Sequence, residues 1–150
     1  VFAEVAALTP DLAVRPPIEA LRALMARLVD GDDLDVALRL LAAPAVFTPA
    51  IVRAGRGLAP IPPRADLGHA ADTLRMLQGT PASPAQAAAL DAYLVTIVDH
   101  GLNASTFAAR VTASTLAGLT SAVISGLSTL KGPLHGGAPG PVIAMSTLSK

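Results

Sequence analysis

The chain has 150 residues, no cysteine and a formal net charge of +0. This length fits one domain with a real core. The lack of cysteine excludes a disulfide framework and thiolate chemistry. The balanced charge and the four aromatic residues (three Phe, one Tyr) argue against a nucleic-acid-binding surface. The sequence is 52% apolar, mostly Ala, Leu and Val, with little alternation of apolar and polar residues, which predicts an all-α fold.

The N-terminal half is predicted to form helices separated by proline and aspartate turns. A helix follows Pro16-Pro17 and runs to about Val29. The acidic turn Asp30–Asp33 caps the next helix, whose apolar face is Leu34, Ala37, Leu38 and Leu41. The turn lacks the ligand spacing and distal Glu of an EF-hand, so we interpret it as a cap and not as a calcium site. Pro44 is predicted to end that helix, and Thr48-Pro49 to start another.

Two helices are predicted in the middle of the chain. The first covers residues 70–77 and ends at Gly79. The second is introduced by Ser83 as N-cap and Pro84 in the first turn, and it runs to about Asp99. Its apolar residues follow the 3.6-residue period and predict a single apolar stripe, consisting of Leu90, Tyr93, Leu94, Ile97 and Val98.

Two further helices are predicted after Gly101, which can adopt a left-handed helix-ending conformation. Asn103 is the predicted N-cap of the first, residues 104–116, and Gly118 separates it from the second, residues 119–130. The second helix carries small residues on one face (Ser121, Ser125 and Ser128), which allow another helix to approach closely, inside the chain or at a subunit contact.

The uncharged stretch Val111–Leu130 is 20 residues long, which is the length of a membrane span. Its many Ser, Thr and Gly residues favour buried helices of a large folded protein, and a membrane hairpin is the alternative interpretation. The chain begins without a basic-then-apolar signal region. We therefore expect a cytoplasmic protein that has no membrane or nucleic-acid partner.

Two of the three histidines, His100 and His135, lie in glycine-flanked turns at the two ends of this small-residue helical region. Such turns bury little of the ring, and the glycines let a ligand approach the backbone. A histidine there can donate to a developing oxyanion or transfer a proton near neutral pH. Two satisfied turn histidines are the alternative. Zinc is disfavoured because there is no close His pair and no third ligand, and His69 is interpreted as a structural or capping residue.

Two motifs carry a family resemblance. The segments DHGLNASTFAARV (residues 99–111) and LKGPLHGGA (residues 130–138) resemble, in order and spacing, the two histidine segments of citrate synthase and its 2-methylcitrate synthase relatives. A looser similarity covers residues 68–79. The convincing match spans about residues 66–138, whereas residues 1–58 resemble the family only in helical texture.

The resemblance implies a role for each motif. It implies an all-α subunit in which residues 1–150 are one helical region from the large domain, without the small domain and the C-terminal part. The reaction implied is the condensation of oxaloacetate with acetyl-CoA, followed by thioester hydrolysis. His100 matches the oxaloacetate-binding histidine, supported by Asn103, and His135 matches the histidine that stabilises the enol of the acetyl group. Gly136 and Gly137 are predicted to contact the acyl-CoA.

The same resemblance implies a homodimer built from packed helices, acetyl-CoA as co-substrate and no bound cofactor. The family also uses a third histidine, an aspartate base and substrate-binding arginines, which lie downstream of the Gly-Gly motif. The sequence has Pro139-Gly140-Pro141 where an acidic residue is common. We therefore predict that these 150 residues alone are inactive or nearly so. The alternatives are a non-catalytic helical dimerisation fragment or degenerate paralogue, and a 2-methylcitrate synthase that uses propionyl-CoA.

Overall fold

The computed structural model describes residues 1–99 and 101–136, and every regular element in this part of the chain is helical. The elements are a short 3-10 helix (Phe2–Ala7) followed by α1 (Pro10–Ala13), α2 (Pro17–Met25), α3 (Leu34–Ala54), α4 (His69–Gln78), α5 (Pro84–Thr96), α6 (Ala104–Ser114) and α7 (Leu119–Leu130). The predicted all-α class is confirmed.

The core lies where α3 packs against α2, α4 and α7. Its largest fully buried side chains are Phe47, Leu24 and Met25. Leu119, Val123, Ile124 and Leu127 of α7 pack against this core while remaining partly exposed. In contrast, α5 packs on α4 and α6 packs on α7, so these two helices form the outer layer.

The predicted starts of α3 and α5 and the predicted end of α4 are confirmed by cap geometry, whereas α2, α5 and α6 end two to four residues before their predicted ends. The side chain of Asp33 accepts a hydrogen bond from the Val36 amide at 2.9 Å at the start of α3. Ser83 and Gln86 form a reciprocal capping box at the start of α5. Gly79 ends α4 with a φ of 86°, in the left-handed region that glycine enters without strain.

The predicted break at Pro44 is wrong, because α3 continues through Pro44 and Pro49 as one helix. A proline inside a helix removes one backbone hydrogen bond and costs about 3 kcal/mol. Side chains on both sides of the prolines are buried, including Val46, Phe47 and Ile51. Burying each such side chain contributes about 1.5–3 kcal/mol, so tertiary packing outweighs the local preference.

The apolar face predicted for α3 is also wrong. Leu34 and Leu41 are 73% exposed and Leu38 is 54% exposed, whereas Val36 and Leu40 face the core. This part of the helix is apolar almost all round, so periodicity alone does not identify the buried side.

The stripe predicted on α5 is divided between two environments. Leu90 and Leu94 are half-buried, but Tyr93, Ile97 and Val98 are exposed, and no residue of α5 is fully buried. Because α4 is the element against which α5 packs, only part of the stripe finds cover. The periodicity correctly predicted a helix but not how deeply it is buried.

Among the described residues, α3 is the one helix long and apolar enough to cross a membrane by length and composition. Of its most apolar window, 44% is buried inside the fold, and core helices of soluble proteins pass the same test. The uncharged stretch from Val111 to Leu130 is not one helix, because it is interrupted between Ser114 and Leu119.

The proline-rich loop between α3 and α4 is fixed by one buried carboxylate. Asp72 accepts a hydrogen bond from the Arg64 amide at 2.8 Å, and another from Arg75 Nε at 2.8 Å. Arg75 in turn donates to the carbonyl of Pro62 at 2.7 Å. Two of these hydrogen bonds, Arg64 to Asp72 and Arg75 to Pro62, connect the loop to α4.

Candidate active site

Small residues bring α6 and α7 into close contact. A β-carbon built on Gly126 would lie 3.5 Å from Ala109 Cβ and 3.5 Å from the carbonyl oxygen of Ser105, so glycine leaves the two backbones close. The hydroxyl of Ser125 donates to the carbonyl of Ala108 at 3.4 Å. The small-residue face predicted for α7 is therefore used within the chain, at least at these positions, and it aligns the two histidine motifs.

Asn103 caps α6, as predicted. Its side-chain oxygen Oδ1 accepts a hydrogen bond from the Thr106 amide at 3.0 Å and another from the Ser105 hydroxyl at 2.7 Å. Its amide nitrogen donates to the carbonyl of Gly101 at 3.4 Å. Asn103 thus fixes both the turn before α6 and the first turn of the helix.

The second motif meets the first at His135. Nε2 of His135 lies 3.0 Å from the hydroxyl oxygen of Ser105, and the ring is half-buried. A chain of hydrogen bonds therefore runs from Asn103 through Ser105 to His135, across 30 residues of sequence. Sequence reasoning did not single out Ser105; its position two residues after the helix cap is the signal that could have found it.

The direction of these bonds follows from the donors. Oδ1 of Asn103 is an acceptor, because the Thr106 amide donates to it. The Ser105 hydroxyl therefore uses its one proton toward Asn103, and its oxygen accepts from His135 Nε2–H. In this arrangement the neutral ring has its proton on Nε2, and Nδ1 is the nitrogen available to a ligand.

Both ends of α7 are anchored to residues far away in sequence. Asp30 Oδ1 accepts from the Thr120 amide at 2.9 Å, and Asp30 Oδ2 accepts from the Ser121 amide at 3.2 Å and from the Ser121 hydroxyl. At the other end, Lys131 forms an ion pair with Glu19 of α2. These contacts fix the helix that leads into the His135 turn.

The two anchoring carboxylates are stabilised in their charged forms. The Ser121 hydroxyl and the amides of Gly31, Thr120 and Ser121 lower the pKa of Asp30. The Lys131 ammonium, with a smaller effect from Arg22, lowers the pKa of Glu19. The sequence predicted that the acidic turn caps the following helix, but not that Asp30 caps α7. A cap for a helix 90 residues away leaves no local pattern in the sequence.

Two glycines are required by sterics. A β-carbon on Gly136 would lie 2.0 Å from the carbonyl oxygen of Leu130, because the chain folds back over the end of α7 there. At Gly118, φ is 96° and a β-carbon would lie 2.1 Å from Asp30 Oδ1. The fold itself thus explains Gly136, and its predicted contact with acyl-CoA stays a prediction.

Two predicted site residues, His100 and Gly137, lie outside the described residues. Their neighbours are placed: Gly101 has a φ of 76°, as expected for the left-handed residue predicted there, and its amide donates to Asp99 Oδ1 at 2.9 Å. His69 begins α4 as an exposed residue, in keeping with its interpretation as a residue of the helix start. Within the part of the chain that is described, no group of three His, Asp or Glu could hold a metal ion.

Comparison with known proteins decides the family. The family model "Citrate synthase, C-terminal domain" matches residues 3–148, nearly the whole chain. The chain belongs to the citrate synthase family. Citrate synthase from Deinococcus radiodurans is 46% identical over 110 residues, covering 73% of this chain and 29% of the relative. A 2-methylcitrate synthase from Mycobacterium tuberculosis is 41% identical over 102 residues, covering 68% of this chain and 26% of the relative.

Solved citrate synthases share the fold. The enzyme from Pyrobaculum aerophilum superposes with a TM-score of 0.72 at 36% identity, covering 89% of this chain and 38% of that one. The enzyme from Thermoplasma acidophilum, solved as a ternary complex with carboxymethyl coenzyme A and oxaloacetate, gives a TM-score of 0.74 at 27% identity, covering 95% of this chain and 39% of that one. The chain therefore spans less than two fifths of the citrate synthases to which it is similar.

Proposed function

We propose that the chain contributes two histidines to a citrate synthase reaction, in which oxaloacetate condenses with acetyl-CoA and the thioester is then hydrolysed. His135 hydrogen-bonds the thioester oxygen of acetyl-CoA, while His100 and Asn103 take part in binding oxaloacetate. The observation that carries the proposal is the bond between His135 Nε2 and the Ser105 hydroxyl, because it joins the two histidine motifs at one place.

The role proposed for His135 is electrostatic. As the methyl proton of acetyl-CoA leaves, negative charge develops on the thioester oxygen, and a fixed hydrogen-bond donor stabilises that charge. In the arrangement described above Nδ1 carries no proton, so this donation uses the other neutral tautomer of the ring. In that tautomer the proton is on Nδ1, which donates it to the thioester oxygen, and Nε2 accepts from the Ser105 hydroxyl after that hydroxyl has turned away from Asn103.

A chimera tests this role. Residues 66–136 of this chain would replace the matching segment of the Deinococcus radiodurans enzyme, which is 46% identical to this chain over the aligned region. We expect the chimera to release CoA from acetyl-CoA and oxaloacetate. His135→Ala in the chimera is expected to lower kcat about 10²–10³-fold, the usual effect of losing one oxyanion donor.

His69→Ala is the matched control, because it removes the exposed histidine of α4 and is expected to preserve kcat. An active chimera whose kcat is unaffected by His135→Ala would disprove the role of His135. Circular dichroism of each variant checks folding, since we expect His135→Ala to preserve helicity.

We further propose that the 150-residue chain alone does not catalyse the condensation. The general base and the arginines that the family resemblance implies have no counterpart in the matched motifs, and loss of a general base alone costs about 10²–10⁴-fold in rate. A CoA-release assay on the purified chain is expected to show no turnover above the uncatalysed rate. Turnover comparable to that of a full enzyme would refute this.

Propionyl-CoA is the second candidate substrate, favoured by the similarity to the 2-methylcitrate synthase of Mycobacterium tuberculosis. One methylene group changes binding by about 1–3 kcal/mol, so the pocket around the acyl group decides between the two. The ratio of kcat/KM for acetyl-CoA and propionyl-CoA in the chimera measures the preference that this segment confers. The setting proposed for either reaction is the cytoplasm.

A homodimer is the proposed assembly, and the exposed leucines of α3 are the surface proposed for it. Leu34, Leu38 and Leu41 lie on one side of the helix, whereas α7 packs small residues against α6 of the same chain. Sedimentation of the wild-type chain is expected to show a dimer, and Leu38→Asp a monomer, since a charge in an apolar contact is costly. A monomeric wild-type chain would count against the dimer.

A further inference from the structure

A cavity on the side of the fold formed by α1, α2 and α7 has no role in the proposed reaction. Its volume is about 250 Å³, and it is lined by Arg15, Glu19 and Arg22 over an apolar floor of Leu12, Ala23, Ala26 and Ile124. Two positive charges and one negative charge thus face a space large enough for a small organic acid or a phosphate. The balance of the lining favours an anion.

Arg22 has a hydrogen-bonding group that the fold does not satisfy. Its Nη1 donates to Glu19 Oε2 at 2.8 Å, but its Nε is buried and has no partner among the described residues. A buried N–H without an acceptor is destabilising, and more so when the group is charged. A ligand oxygen at this N–H would recover that cost.

Arg15 supplies a second cation. No hydrogen bond or ion pair of its guanidinium occurs within residues 1–99 and 101–136, although other arginines of the same region are paired, such as Arg27 with Glu4 at 2.8 Å. A guanidinium matches the oxygen geometry of carboxylates and phosphates better than an ammonium does. Two arginines lining one small cavity are therefore suited to hold a single oxyanion.

Glu19 lines the cavity and orients Arg22. Lys131 binds the other oxygen of the Glu19 carboxylate, so this carboxylate is shared between Arg22 and Lys131. The shared contact orients the Arg22 guanidinium and occupies Nη1, leaving Nε for another acceptor. Lys131 thus offsets the charge of Glu19, and the two arginines that line the cavity leave it net positive.

We propose that this cavity binds a small oxyanion, a phosphate or a carboxylate, between Arg15 and Arg22 Nε. Nε is enclosed in the structure, so binding requires the Arg22 side chain to move and expose Nε–H to the cavity. The proposal is independent of the proposed reaction, because neither Arg15 nor Arg22 belongs to the two histidine motifs.

The test is a titration of the ¹⁵N-labelled chain with inorganic phosphate and, separately, with acetate, at constant ionic strength set by NaCl. The reporter is the Nε–H resonance of Arg22 in the proton–nitrogen correlation spectrum. We expect a saturable shift of this resonance with at least one of the two anions, and the anion that binds more tightly identifies the chemical class.

Three variants make the test specific. Arg15→Ala and Arg22→Lys are each expected to weaken binding about tenfold or more, since each removes a charge-assisted hydrogen bond, and Arg22→Lys does so without changing the net charge. Arg56→Ala is the matched control, because it removes one exposed positive charge elsewhere. No saturable shift with either anion, an equal response to chloride, or unchanged affinity in Arg15→Ala and Arg22→Lys would overturn the proposal.

Discussion

Asp30 is the residue for which the structure makes the sharpest stability prediction. Its carboxylate caps α7 by accepting from the amides of Thr120 and Ser121 and from the Ser121 hydroxyl, and it also accepts from the Gly31 amide at 3.0 Å. Removing a helix N-cap costs about 0.5–2 kcal/mol, and a negative charge at a helix N-terminus adds about 0.3–1 kcal/mol. Because Asp30 is exposed, we expect Asp30→Ala to lower the free energy of unfolding by about 1–2 kcal/mol.

The assay is thermal unfolding followed by circular dichroism. For a chain of 150 residues, the expected loss lowers Tm by about 2–8 °C. Asp32→Ala is the matched control, because Asp32 belongs to the same acidic turn but makes no hydrogen bond or ion pair with the described residues. The Tm of this variant is expected to stay within about 2 °C of wild type. A Tm for Asp30→Ala that matches wild type, or equal losses in both variants, would refute the capping role.

The pH dependence gives an independent check on Asp30. The pKa of Asp30 lies below its ordinary value of 3.8, chiefly because the Ser121 hydroxyl and backbone amides donate to the ionised form. Since the folded-state pKa is the lower one, the stabilisation is fully present above the ordinary pKa and is lost as the pH falls through the folded-state value. The difference in stability between wild type and Asp30→Asn should therefore shrink below about pH 4; a difference that grows on acidification contradicts this.

Three further substitutions test local features of the fold. Leu116 has a φ of 62° and is 91% exposed, so Leu116→Gly is expected to raise Tm by about 1–3 °C by relieving left-handed strain, and a lower Tm would contradict this. Gly136→Ala is expected to disturb the His135 turn and so to change the ¹⁵N chemical shift of the His135 ring. Gly68→Ala is the control, because Gly68 has open space around it, and it should leave that shift unchanged. Asp72→Ala is expected to cost about 3 kcal/mol in urea unfolding, because it removes the carboxylate partner of the half-buried Arg75 and of the Arg64 amide, and a loss below about 1 kcal/mol would argue against that pairing.

Local signals in the sequence predicted most helix starts correctly. Ser83, Asn103 and Asp33 cap the helices that follow them, since a cap satisfies amides only three residues away. The helix α7 has the predicted bounds, because Gly118 and the charge at Lys131 mark both ends. The family resemblance of the two histidine motifs is confirmed by the family match over residues 3–148.

The same local rules failed where packing competes with them. The sequence predicts a helix end at Pro44, yet the buried side chains around Pro44 keep α3 continuous. The sequence predicts Val98 as part of an apolar stripe, yet Val98 is 84% exposed because no described element covers that side of α5. Propensity and periodicity report on a single helix, whereas burial depends on what that helix meets.

The sequence by itself determined the helical class, the caps and the two histidine motifs, because the class follows from composition, and the caps and motifs depend on residues close together along the chain. Only the tertiary structure decided that Ser105 holds His135, that Asp30 caps α7, and that Glu19 joins Lys131 to Arg22. Ser105 and His135 are 30 positions apart in sequence, and Glu19 and Lys131 are 112 positions apart. Such pairings leave no periodic trace in the chain, and the fold must first bring their partners together.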